Sequence, residues 1–151
     1  MTNKNILLII FTLVSTGIML CGCGHRIPTH VTEVTVTLDG QPVENASVTL
    51  VPVNESGMLA VGITDSNGHC RTQTLLGRAD GGTVVGEYVI TVSKPVLKDS
   101  GRKTTDSTTG TVYPEMESVE TLPTIYTNNK TSPFRVEVKS GKNSFNADLK
   151  K

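Results

Sequence analysis

The chain has 151 residues, 36% of them hydrophobic and 4% aromatic, with 14 basic and 14 acidic side chains and no tryptophan. A formal charge of zero with mixed signs argues against a nucleic-acid partner and against a polybasic membrane patch. The chain has three cysteines, Cys21 and Cys23 close together near the start and Cys70 far from both.

Lys4 precedes an uncharged run over residues 6–20, which ends in Leu20, Cys21, Gly22 and Cys23. A basic start, an apolar stretch and a small-residue junction make a secretory signal. With a cysteine directly behind the junction, it resembles a bacterial lipoprotein signal peptide. The resemblance implies cleavage after Gly22, lipidation of Cys23 with palmitate-type acyl chains, and a membrane partner reached through that lipid. Gly24 after the cysteine implies the outer membrane where the host has one. The competing reading is an uncleaved span, for which about 18 apolar residues suffice. Thr12, Ser15, Thr16 and Gly17 dilute the run, however, and no basic flank closes it. Either way the remainder lies at the cell envelope, facing the periplasm or the exterior. The expected organisation is a signal peptide over 1–22, a lipidated cysteine and tether over 23–30, and one domain over 31–151.

Beyond His30 the apolar period is two, the mark of half-buried strands. Val34, Val36 and Leu38 alternate with Thr35 and Thr37 up to the turn dipeptide Asp39-Gly40. Ala46, Val48 and Leu50 form a second run that stops before Pro52, and Leu59, Val61 and Ile63 form a third. Asn67-Gly68 after the third predicts a tight hairpin into a fourth strand at His69, with Cys70 on one face and His69 and Arg71 on the other. Tyr88, Ile90 and Val92 mark a fifth strand. Phe134, Val136 and Val138 mark a sixth, joined by a Ser140-Gly141-Lys142 hairpin loop to a seventh with Phe145, Ala147 and Leu149. No helical apolar period follows the leader. Seven short strands separated by turn signals predict an all-β chain, a single β-sandwich. Over 94–121 the alternation fails, and the small, polar, turn-prone residues predict a long polar loop, functional or disordered.

These segments resemble a family of bacterial lipoproteins carrying one transthyretin-like (prealbumin-like, Ig-like), or carboxypeptidase regulatory-like, domain. The landmarks are Val36-Thr37-Leu38-Asp39-Gly40-Gln41-Pro42-Val43, Gly62-Ile63-Thr64-Asp65-Ser66-Asn67-Gly68, Gly86-Glu87-Tyr88-Val89-Ile90 and Leu122-Pro123-Thr124-Ile125-Tyr126. The resemblance implies a seven-stranded sandwich in which Tyr126 caps one end, ring buried and hydroxyl wet. It implies no catalytic residues, because the fold hosts many functions and a site must be argued by itself.

The transthyretin-like fold also hosts 5-hydroxyisourate hydrolases, and His30 with Gly40 and Pro42 resembles their opening motif. The closing Tyr-Arg-Gly-Ser is replaced here by Asp148-Leu149-Lys150-Lys151, and His30 reads as part of the tether. No enzyme is expected. His69 and Cys70 are metal-ligand types, but as strand neighbours they leave opposite faces, so neither metal nor cofactor is expected. Asp65, Asn67 and Gly68 resemble the start of a calcium loop, yet no bidentate acid follows and the turn suffices. A carbohydrate-binding module is the alternative function, with Tyr113 and Tyr126 as its stacking candidates. The preferred reading is a non-catalytic structural or protein-interaction module for an envelope protein or polysaccharide. Its candidate contacts are Tyr113, Pro114 and Met116 in the long loop, because loops on a rigid scaffold carry function.

Overall fold

Val34 and Val36 are fully buried while Glu33, Thr35 and Thr37 between them are partly exposed, so β1 (Thr32–Leu38) realises the two-residue period seen in its sequence. The computed structural model describes residues 27–55, 57–74 and 82–151. The expected signal peptide, the expected lipidation site Cys23 and the start of the expected tether lie outside the described residues. The remaining strands are β2 (Gln41–Pro42), β3 (Ser47–Pro52), β4 (Ala60–Ile63), β5 (His69–Arg71), β6 (Gln73–Thr74), β7 (Gly86–Ser93), β8 (Pro95–Thr105), β9 (Val112–Glu120), β10 (Arg135–Val138) and β11 (Asn143–Leu149). Among the described residues one 3-10 turn, Thr124–Tyr126, interrupts this all-β order. Among the described residues no helix is long and apolar enough to cross a membrane.

Two sheets make up the body. The first has the order β11-β1-β2, with β5 beside the opening half of β1. Its β1–β11 pair is parallel, from Thr32↔Asn143 to Leu38↔Leu149. The second is antiparallel, in the order β10-β7-β3-β4-β6. Val34, Val36, Ala147 and Leu149 from the first sheet meet Val48, Leu50, Tyr88, Ile90, Val92 and Val138 from the second in one core. Each fully buried Val, Leu or Ile contributes about 1.5–3 kcal/mol by leaving water. Phe134, Val136 and Phe145 are only partly buried and pack at its margin.

All seven expected strands are present, but the third buries Ala60 and leaves Leu59 and Ile63, two of its expected apolar face, exposed, and two expected hairpins are absent. β5 pairs with β1 instead of β4, and β11 pairs with β1 instead of β10. The Asn67-Gly68 and Ser140-Gly141-Lys142 turns therefore carry the chain from one sheet to the other. At the first corner, Asp65 Oδ1 accepts the N–H groups of Asn67 and His69, each at 2.9 Å. Gly68, at φ 76°, then offers its carbonyl to the N–H of Val36 at 2.8 Å, which docks the turn on β1.

His30 is not a tether residue. Its N–H donates to Thr83 O at 2.8 Å, its carbonyl accepts from Thr83 N at 2.9 Å, and its Nδ1 accepts the Gly141 N–H at 3.0 Å. The folded unit therefore starts at or before His30, because this backbone is bonded on both sides.

The larger correction concerns 94–121, which is not a loop. It is a long antiparallel hairpin, β8–β9, forming a third sheet of its own. Nearly all its residues are exposed on both faces, so it has no buried face to mark it in the sequence.

Candidate interaction arm

Local chemistry explains why the arm forms. Val96, Thr104, Thr105, Val112 and Val119 are β-branched and suit a pleated backbone. The strands pair from Pro95↔Glu120 to Thr105↔Val112, with a bulge in β8 between Asp99 and Lys103. At the tip, Asp106 Oδ1 accepts the N–H groups of Thr108 at 2.7 Å and Thr109 at 3.1 Å, while Gly110 takes φ 70°. Those two amides hold the Asp106 carboxyl below its usual range.

Alternation along β9 sorts the apolar groups by face. Val112, Pro114 and Met116 share one face, joined by Leu97 from β8, whereas Tyr113, Glu115 and Glu117 occupy the other. Leu97 is 70% exposed, Val112 54%, Tyr113 53% and Met116 50%. The three contact residues expected from sequence are therefore not one patch. Pro114 and Met116 stand together, and Tyr113, opposite Thr104, lies on the reverse. Sequence reasoning missed Leu97 and Val112, although the Val112, Pro114, Met116 spacing carried the signal. The arm's free edges are blunted, β8 by its bulge with Lys98, Arg102 and Lys103, and β9 by Pro114, which lacks an N–H. The faces remain as contact surface.

Where the arm joins the body, Glu120 closes the root. Its Oε2 accepts the Ser93 hydroxyl at 2.6 Å, and its Oε1 accepts the N–H groups of Lys94 at 2.8 Å and of Thr121 and Leu122 at 3.0 Å. Burial alone would raise this carboxyl, but the bonds from Ser93, Leu122, Lys94 and Thr121 outweigh it and hold it below its usual range. Thr121 Oγ1 adds a bond to Lys94 O at 2.7 Å.

No family model, curated protein or solved structure matches this chain.

The other sequence candidates belong to the body. Tyr126 is buried and stacks on Phe134, ring centres 5.6 Å apart. Its hydroxyl is not simply wet: it accepts the Lys150 N–H at 2.9 Å and donates to Lys150 O at 3.3 Å. Of the two candidate sugar-stacking tyrosines, only Tyr113 presents its ring to solvent. A 380 Å³ groove beside the arm's root is lined by Leu38, Pro42, Val43, Lys94, Thr121 and Leu122 among others.

His69 is exposed, with Nδ1 3.0 Å from Thr35 Oγ1, whereas Cys70 is buried on the opposite face. Burial pushes the Cys70 thiol up from 9.0 to about 11; the Val34 backbone opposes the rise and the Asp65 charge adds to it. At neutral pH the thiolate, which is the reactive form, is then scarcer by about a hundredfold. Thiol labelling with iodoacetamide should leave Cys70 intact in the folded protein and modify it rapidly in urea. Fast labelling of the native state would mean that the first sheet opens readily around β5.

Proposed function

We propose that this chain is a lipid-anchored, non-catalytic envelope protein whose transthyretin-like β-sandwich presents the β8–β9 arm to a protein partner. The observation that carries the reading is the arm itself. It adds nothing to the core, yet it holds Leu97, Val112 and Met116 half or more exposed on one face. Apolar groups kept in water on a preformed scaffold are surface available for association. The body's own polar interior is engaged within the fold: Thr64 Oγ1 donates to Val43 O at 2.6 Å, and Thr72 and Thr83 share a 2.9 Å hydroxyl contact. Anchoring rests on the Leu20-Cys21-Gly22-Cys23 junction, with outer-membrane placement where the host has one.

The test removes residues 100–111. The Asp99↔Met116 register then leaves residues 112–115 as a four-residue connection, a length hairpins tolerate. Melting of the body should be nearly unchanged, because loop-closure entropy varies slowly with length. Pulldown from solubilised envelopes should retain a partner with the intact chain and lose it with the shortened arm and with Met116→Asp. Equal retention by all three would move the contact to a sheet face. Intact-mass analysis of the same material should show an acylated Cys23, and a mature amino terminus elsewhere without lipid would remove the anchor from the reading.

A further inference from the structure

Strand β11 ends the first sheet and pairs with β1 alone. The Asn143 N–H reaches Val31 O at 2.8 Å and Leu149 O accepts from Asp39 N at 2.9 Å, so the odd-numbered residues of β11 direct their backbone groups to β1. Those of Ser144, Asn146 and Asp148 point the other way, where no described residue bonds them, and all three residues are exposed. The other edges of the body are short among the described residues, with 2 residues in β2 and in β6, 3 in β5 and 4 in β10, and those of the arm are blunted. By contrast β11 runs for 7 residues without a bulge, a proline, a glycine or a lysine. Its single charge, Asp148, is drawn toward β1 by the Thr37 hydroxyl at 2.7 Å. A long, regular edge without such guards is a template for another strand.

We infer that this edge pairs with the same edge of a second copy of the chain, β11 antiparallel to β11, about a two-fold axis at Asn146. The inference rests neither on the arm nor on the anchor. Only with the axis at Asn146 do all three outward residues find one another inside the strand: Asn146 faces Asn146 of the second copy, Ser144 faces its Asp148, and Asp148 faces its Ser144. Each such pair exchanges both of its N–H···O bonds. The side chains suit this register. On the exposed face the Ser144 hydroxyl can donate to the opposite Asp148 carboxylate and the two Asn146 amides can bond each other, with no like charges opposed. On the inner face Phe145, partly buried at the core margin, lies opposite Ala147, a large residue against a small one. Pairing stops at the strand ends. The next outward position would set Lys150 against Lys142, but Tyr126 Oη already accepts the Lys150 N–H at 2.9 Å and Glu33 holds the Lys142 ammonium at 3.2 Å. A self-complementary edge of this kind closes into a dimer.

Sedimentation of the full chain in detergent micelles should give the protein mass of two copies for the wild type. Asn146→Lys sets two like charges directly opposite each other at the axis and should halve that mass. The chain shortened by residues 100–111 should remain a dimer, because the arm takes no part. Cysteine substitutions read the register. In Asn146→Cys the two Cα atoms lie about 5.5 Å apart, within bridging range, and mild diamide oxidation should convert the protein to a covalent dimer. Two Ser144→Cys side chains would stand four residues out of step, more than about 13 Å apart, and should cross-link no more than the wild type, in which Cys70 is buried. A wild type that sediments as one copy, or with the same mass as Asn146→Lys, would overturn the pairing. Equal cross-linking of Asn146→Cys and Ser144→Cys would overturn it as well, and so would a monomeric shortened chain, which would assign the contact to the arm.

Discussion

Replacing Tyr88 by alanine is expected to cost the folded state about 3–5 kcal/mol, the range for a fully buried aromatic side chain. Its ring is 0% exposed, and its hydroxyl donates to Val84 O at 2.9 Å and accepts from Met58 N at 3.4 Å. The site ties β7 to Val84 just before it and to Met58 in the β3–β4 connection. Tyr88→Phe should lose only about 1 kcal/mol, the net worth of the hydroxyl's bonds. Phe145 sits at the core margin, so Phe145→Ala should cost clearly less than Tyr88→Ala. The exposed Glu137→Gln should stay within about 0.5 kcal/mol. Urea unfolding of the four variants orders them. Equal losses for Phe145→Ala and Tyr88→Ala would mean that the core is centred elsewhere.

Gly68→Ala should destabilise by more than about 2 kcal/mol, through two additive causes. A left-handed backbone, here φ 76°, costs an L-residue about 1–2 kcal/mol. An added Cβ would also collide with the carbonyl oxygen of Val36. That oxygen accepts from Val43 N at 3.1 Å, and the Val36 N–H donates to Gly68 O, so the collision pushes apart the turn and β1 together. Gly40 supplies the control: its φ is 80°, but a Cβ there meets nothing within 4 Å. Gly40→Ala should show the backbone cost alone. If the two variants melt together, the corner is not pressed against β1.

The strands of the body were legible because their alternation reports one buried and one wet face. Val34/Val36, Val48/Leu50 and Ala147/Leu149 are apolar for the same reason that they are buried. Pairing was less legible. Asn67-Gly68 and Ser140-Gly141-Lys142 announce reversals, but whether a reversal closes a hairpin or turns a corner between sheets depends on distant partners in β1. The arm was invisible for the opposite reason. A two-sided exposed ribbon has no core to alternate against, so Lys98, Asp99, Glu115 and Glu117 read as a solvated loop. Tyr113, Pro114 and Met116 were found by size alone, and only the strand period divides them into two faces. Glu120 gave no signal, since its importance lies in four donors brought to it by the fold.

The parallel pairing of β1 with β11 gives the body a particular order of assembly. Thr37 Oγ1 donates to Asp148 Oδ1 at 2.7 Å across 111 residues of sequence, and the whole seven-residue ladder has this separation. Contacts so far apart are closed late, after the loop entropy of everything between them has been overcome. Until β11 has been synthesised, Val34 and Val36 lack the neighbours Ala147 and Leu149, and β1 has one open edge along its full length. The body therefore cannot lock in stages from its first strand onward. A growing chain therefore stays pliable until β11 emerges and then closes in one cooperative step.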